Sequence, residues 1–255
     1  MLSCIAEPTI ASAGELMKHP MIRLLVVTGG PAVVAAAMNS GKRAICAGPG
    51  NPPAVVDATA DLDQAGRNIV LGHSFDNNVI CVDEKECIVV ESVADKLKGA
   101  MRNNGAVELK PGDLARLEKV IFEKNAGPRG HAIVNRKFVG KNASLILQEL
   151  GIPAGPGVRC ILVEVPNDHP LIWTEQMMPV LPITRVRNVD EAIDLAVGAG
   201  VERAPLVLVA CAIARRAWPA LPPDDEPTPP DAPKPRGRRS AKPADAAGDV
   251  APAAN

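Results

Sequence analysis

The sequence predicts an α/β fold built on a mostly parallel sheet, and three observations carry that prediction. Over residues 1–200, short apolar runs of strand length alternate with segments of helical spacing. The runs are largely continuous rather than alternating apolar and polar, which is the pattern of strands covered on both faces. The core has to be aliphatic: hydrophobic residues make up 47% of the chain and aromatics 2%, with no Tyr, so Val, Ile, Leu, Ala and Met must fill it.

The elements follow in order. Ile22 to Val27 reads as a buried strand, broken by Thr28-Gly29-Gly30-Pro31, after which Ala32 to Met38 reads as helix. Arg43 to Ala47 is a second strand, followed by the turn Gly48-Pro49-Gly50-Asn51-Pro52-Pro53 and a return to extended chain at Ala54 to Val56. Asp61 to Leu71 has helical spacing at Leu62, Ala65 and Ile69, with Asp61 or Thr59 as N-cap. Cys87 to Glu91 is a strand, and Ser92 to Asn103 a helix capped by Ser92 and stopped near Gly105. Asp113 to Glu123 and Ala143 to Leu150 are helices, Arg159 to Val165 a strand, and Val189 to Val197 a helix with Asp190 and Glu191 in its first turn.

Composition changes near residue 200. Residues 201–255 hold 11 of the 25 prolines, and from Pro219 onward large apolar residues nearly vanish, so this tail is expected to be disordered. Its Arg236, Arg238, Arg239 and Lys242 lie among acidic residues and read as a solvated segment. The whole chain has a formal net charge of −1, which gives no electrostatic case for nucleic acid or an anionic membrane. The scarcity of aromatics also argues against a base-stacking platform. No apolar run reaches the roughly 18 residues that a membrane span needs. The six cysteines (4, 46, 81, 87, 160, 211) show no metal-ligand spacing and read as reduced, mostly buried thiols of a cytoplasmic protein.

Few residues declare chemistry by themselves. Gly48-Pro49-Gly50 is no dinucleotide fingerprint, because Pro53 stands where the third glycine belongs. Thr28-Gly29-Gly30 is a strand-to-helix turn whose N–H groups can receive phosphate, or a plain tight turn. Cys81 ends a polar, turn-forming stretch, Ser74-Phe75-Asp76-Asn77-Asn78-Val79-Ile80, where a thiolate could be presented to a carbonyl. The alternative there is an inert buried thiol, which is the reading for Cys4, Cys87, Cys160 and Cys211. Histidines 19, 73, 131 and 169 are isolated, and Glu175 is either a partnered structural acid or a ligand contact.

Four segments, taken together, are more specific: AEPTIASAGELMKHPMIRLLVVTGGPAVV (6–34), AGPGNPPAVVDATADL (47–62), SFDNNVICVDEKE (74–86) and TEQMMPVLPITRVRNVDEAIDLA (174–196). In this order they resemble the interior and C-terminal part of the aldehyde dehydrogenase superfamily, in its CoA-acylating, ethanolamine- and propanediol-utilisation branch. The resemblance implies a remnant of the NAD-binding domain at 1–75, an incomplete catalytic α/β domain at 76–200 and the tail at 201–255. It implies Cys81 as the thiol nucleophile that carries a thioester, with its backbone N–H as half of the oxyanion hole. It also implies Thr28, Gly29 and Gly30 near the pyrophosphate of NAD, Glu175 on the nicotinamide ribose, and coenzyme A as co-substrate for a short-chain aldehyde such as acetaldehyde or propionaldehyde.

Hydrolytic members of the superfamily carry a Glu-Leu-Gly-Gly segment whose Glu activates water. The matching stretch here, Ile45-Cys46-Ala47-Gly48-Pro49-Gly50, has no carboxylate, which favours transfer to a thiol over hydrolysis. The Asn completing the oxyanion hole and most of the dinucleotide fold are expected to lie before Met1. The family pattern stops near residue 198, as if by a frameshift. Weak or absent stand-alone turnover is the expectation, with a hydrolytic enzyme or a non-catalytic fragment as alternatives. The resemblance further implies a homo-oligomer in the intact family, and a cytoplasmic location that extends to a bacterial microcompartment.

Overall fold

The computed structural model describes residues 3–48, 50–155, 157–201 and 211–212. The expected disorder of 219–255 and the basic cluster at 236–242 fall outside these residues.

The chain opens with α1 (Ile10–Lys18), β1 (Leu24–Thr28), α2 (Pro31–Met38) and β2 (Arg43–Ala47). Helix α1 was not expected from spacing, and a capping box starts it: Ser12 N donates to Thr9 Oγ1 while Thr9 N donates to Ser12 Oγ. Strands β1 and β2 pair in parallel from Leu24↔Arg43 to Thr28↔Ala47 and form a two-stranded sheet. Pro31 opens α2, where its missing N–H costs nothing and its fixed φ suits the first turn.

The larger layer comprises β3 (Pro53–Val56), α3 (Leu62–His73), β4 (Glu86–Val90), α4 (Glu91–Asn103), β5 (Ala106–Glu108), α5 (Leu114–Ile121), β6 (Phe122–Lys124), β7 (Ile133–Val134), α6 (Ala143–Glu149), β8 (Cys160–Glu164), α7 (Pro170–Trp173), β9 (Val180–Val186), α8 (Val189–Val201) and β10 (Cys211–Ala212). Six strands form one parallel sheet in the order β10-β3-β4-β9-β8-β5, while β6 and β7 make a small antiparallel pair. Helices α3 and α4 cover one face, with Ile69, Val70, Leu97 and Met101 packed on Val56, Val89, Leu181 and Ile183. Their close approach is set at Gly66, where a Cβ would stand 2.6 Å from the Ala100 methyl. Ala192 and Ala196 of α8 pack on Val55, Ile88 and Val186 on the opposite face. A sheet covered on both faces is what the continuous apolar runs predict. Along the strand ends, Lys98 of α4 pairs with Glu108 (2.9 Å) and Glu164 (2.6 Å), and Arg185 joins Glu164 to Asp95.

Several expectations need correction. Asp61 caps α3 through Gln64 N, whereas Thr59 bonds Asp57 instead. Ser92 does not cap α4; the helix starts at Glu91 with Val90 in the N-cap position, because β4 runs straight into it. The expected helix 113–123 ends at Ile121 and passes directly into β6. Strand β9, in the middle of the sheet, was not expected because Pro182 lies within it. The β4–β9 ladder begins at Cys87↔Ile183, so the missing N–H falls at the start of that ladder. The two-stranded sheet ends at Ala47, and β3 opens the six-stranded sheet at Pro53. Cys211 and Ala212, inside the expected tail, extend β3 as β10. Cys87 and Cys160 are buried as expected, but Cys4 is exposed.

Candidate functional site

Residues from all four segments that carry the resemblance line one cleft of about 930 Å³. Thr28, Gly29 and Gly30 line it from the end of β1 and the start of α2, Cys81 from the loop before β4, and Glu175 from the loop after α7. Gly48, His131, Arg136 and Met177 also line it. His131 and Arg136 were not expected at the site, because tertiary packing rather than local text brings residues 131–139 there. Among the described lining residues Glu175 is the only carboxylate.

Cys81 sits at a built turn. Asp76, Asn77 and Asn78 adopt three consecutive left-handed conformations, with φ of 44°, 53° and 64°. Asn and Asp tolerate this region better than other residues with a side chain, yet each such residue still costs on the order of 1 kcal/mol. Side chains hold them there. Asn77 Nδ2 donates to Gly140 O (3.1 Å) and Asn142 Oδ1 (2.9 Å). Asn78 Nδ2 donates to His73 O (2.9 Å) and Glu84 O (3.0 Å). His73 is fully buried with Nδ1 2.6 Å from Glu84 O, and burial lowers its pKa to about 3, so the ring stays neutral with its proton on Nδ1. Past Cys81, Asp83 closes the turn: its N–H donates to Ile80 O, and its Oδ2 accepts from Ile80 N.

The text Asp83-Glu84-Lys85-Glu86 reads as a charged surface, but Lys85 and Glu86 have no exposed area. Burial pushes the Lys85 ammonium down; Glu175, then Asp83, Cys81 and Glu86, oppose that shift. Burial pushes the Glu86 carboxyl well above the usual carboxylate range, against the pull of Lys85. The Gly48–Pro53 turn is pinned beside this loop by Lys85 N donating to Pro52 O (2.8 Å). Gly50 has no room for a side chain there, since a Cβ would lie 2.8 Å from the Cys81 carbonyl oxygen.

At the other wall, Gly30 is the N-cap of α2 with no side-chain cap, and Pro31 has no N–H to offer. The first-turn N–H groups beyond Pro31 therefore lack a local side-chain acceptor, and space is open where a Gly30 Cβ would project. Such a turn suits a phosphate-bearing group. No helix among the described residues is long and apolar enough to cross a membrane.

The chain is 50% identical over 198 residues to the acetaldehyde dehydrogenase (acetylating) EutE of Salmonella typhimurium, a match covering 77% of this chain and 42% of that protein. It resembles the crystal structure of Rhodopseudomonas palustris propionaldehyde dehydrogenase with bound CoA and an acylated cysteine, with a TM-score of 0.70 at 44% identity, over 77% of this chain and 44% of that one. It also resembles a propionaldehyde dehydrogenase from the Clostridium phytofermentans fucose utilisation bacterial microcompartment, with a TM-score of 0.69 at 39% identity, over 76% and 43% of the two chains. The chain thus spans less than half the length of these relatives. The model of the aldehyde dehydrogenase family matches residues 1–198, and the chain belongs to that family.

Proposed function

We propose that this chain carries the acyl-transfer half of a CoA-acylating aldehyde dehydrogenase, with Cys81 as nucleophile. The observation that carries the reading is the convergence of Cys81, the Thr28–Gly30 turn and Glu175 on one cleft. The Cys81 thiolate adds to the aldehyde carbon; the S–C bond forms and the carbonyl electron pair moves to oxygen, facing the Cys81 N–H. A bound nicotinamide cofactor supplies the hydride acceptor, leaving a thioester on Cys81. Thr28, Gly29 and Gly30 would hold its pyrophosphate, and Glu175 its ribose. The thiol of coenzyme A then adds to the thioester carbonyl, and Cys81 leaves as thiolate. With Glu175 committed to the ribose, the described lining offers no second carboxylate to activate water, which favours the thiol acceptor over hydrolysis. Acetaldehyde and propionaldehyde are the substrates of choice, and a microcompartment is the proposed setting, by likeness to the relatives above.

The test uses the full chain. Acetyl-CoA or propionyl-CoA is added, and the mass of the Cys81 peptide is read; a single acyl adduct, absent in Cys81→Ala, is expected. In parallel, NADH formation from each aldehyde is followed with and without CoA, and Glu175→Gln is expected to weaken that step while leaving the acyl adduct intact. An adduct on another cysteine, or none on a folded protein, sinks the reading. Aldehyde oxidation that ignores CoA establishes the hydrolytic alternative.

A further inference from the structure

Lys85 does not line the cleft, yet every proton of its ammonium is spent on the loop that presents Cys81. Nζ donates to Asn78 O (2.8 Å), Asn78 Oδ1 (2.9 Å) and Ile80 O (3.0 Å). An ammonium has three donors and no acceptor, so these bonds saturate it. Two of the three acceptors belong to Asn78, the last of the left-handed residues, and the third to the peptide that enters Cys81. A neutral side chain of similar size cannot supply three donors from one atom.

The Ile80 carbonyl is the decisive acceptor. It belongs to the same planar peptide as the Cys81 N–H, and in a trans peptide the two bonds point in opposite directions. Two donors, Lys85 Nζ from the buried side and Asp83 N from the turn, hold that oxygen. Fixing the oxygen fixes the N–H. Ile80 and Cys81 themselves line the cleft.

We propose that Lys85 is a positioning residue: by anchoring the Ile80 carbonyl from beneath, it aims the Cys81 N–H at the oxygen of a carbonyl that Cys81 attacks. The inference rests on the reading of Cys81 as nucleophile. It makes a distinction between two reactions of one thiol. Addition to the carbonyl of p-nitrophenyl acetate forms an S–C bond and places negative charge on oxygen before p-nitrophenolate leaves, so it needs the N–H. Displacement of iodide from iodoacetamide forms an S–C bond at a saturated carbon, releases iodide and creates no oxyanion. The charged and titratable groups around Lys85 and Cys81 include Glu175, Asp83, Glu86 and the neutral His73, with His131 and Arg136 along the cleft, and their field on the thiolate itself acts in both reactions.

The experiment compares p-nitrophenyl acetate with iodoacetamide on the full chain at fixed pH, reading the Cys81 peptide by mass. Lys85→Met is expected to lower the ratio of acylation to alkylation by about tenfold to a hundredfold, the scale of a misaligned oxyanion donor. Lys98→Met, which breaks a remote ion network, is expected to leave the ratio at the wild-type value. Equal slowing of both reactions in a folded Lys85→Met protein overturns the proposal. If Lys85→Met does not fold, Asn78→Gly decides, because glycine keeps the left-handed backbone while removing one Lys85 acceptor and both Nδ2 bonds. A severalfold fall in the ratio supports the proposal, and an unchanged ratio overturns it. Wild-type protein that takes iodoacetamide at Cys81 but no acetyl group overturns the nucleophile reading itself, and this inference with it.

Discussion

The two walls of the cleft are built to different depths. The Cys81 wall stands on the six-stranded sheet, where Ile88, Val89, Ile161, Leu162 and Leu181 are fully buried. The Thr28–Gly30 wall stands on β1 and β2, where Val26 is 73% and Ile45 61% exposed, and α1 buries no residue. Local opening is cheapest where few apolar contacts are lost, so the two walls differ in how rigidly they hold their groups. A nucleophile needs sub-ångström placement, and Cys81, the proposed nucleophile, stands on the deep side. The Thr28–Gly30 turn, proposed to hold a pyrophosphate, would work through several backbone N–H groups and tolerates a shallower support.

Mutations that act on one wall and spare the other test this contrast. The largest effect is expected from Ile161→Ala, which empties part of the deep core and should cost about 2–5 kcal/mol in urea unfolding. Val26→Ala should stay within about 0.5 kcal/mol, and equal losses at the two sites would erase the contrast. Next come two glycines at turns. Gly50→Ala forces a methyl against the Cys81 carbonyl, where only backbone can yield, and should cost about 1–3 kcal/mol while slowing Cys81 acylation. Gly30→Ala meets open space at φ −67° and should instead raise stability by up to about 1 kcal/mol in thermal unfolding.

A further effect is a pH slope. His73 has a pKa of about 3 in the folded chain, against the ordinary 6.5, so the unfolded chain binds more protons between these values. Its contribution is therefore complete above pH 6.5 and is lost as pH falls toward 3, by up to roughly 1.4 kcal/mol per unit. His73→Gln should flatten that slope in acid denaturation. A slope identical to wild type would mean that His73 does not anchor the Cys81 wall in its neutral form.

What the sequence discloses divides along physical lines. The α/β class, the strand Arg43–Ala47 and the Asp61 cap are local properties of spacing and side-chain chemistry, and all three are legible. Strand β9 is not, because Pro182 argues against a central strand until the ladder register is known. By local text Cys81 is one thiol among six, and only the order of four motifs lifts it out. Lys85 and Glu86 are hidden for the opposite reason. Their neighbours in sequence are charged, and nothing local says that the chain turns inward there. His131 and Arg136 reach the cleft from a loop some fifty residues beyond Cys81, a tertiary fact that no window of sequence contains.

The left-handed run at residues 76–78 narrows the vocabulary of the loop it belongs to. At most surface positions of a protein nearly any residue is acceptable, but three successive positions here admit little beyond Asn, Asp and Gly. Glycine would satisfy the backbone and forfeit the side-chain bonds of Asn77 and Asn78. The path by which this loop can change, one codon at a time, is correspondingly narrow. A drifting gene can rewrite the exposed face of α1 freely, and it can scarcely touch the three residues that lead the chain to its thiol.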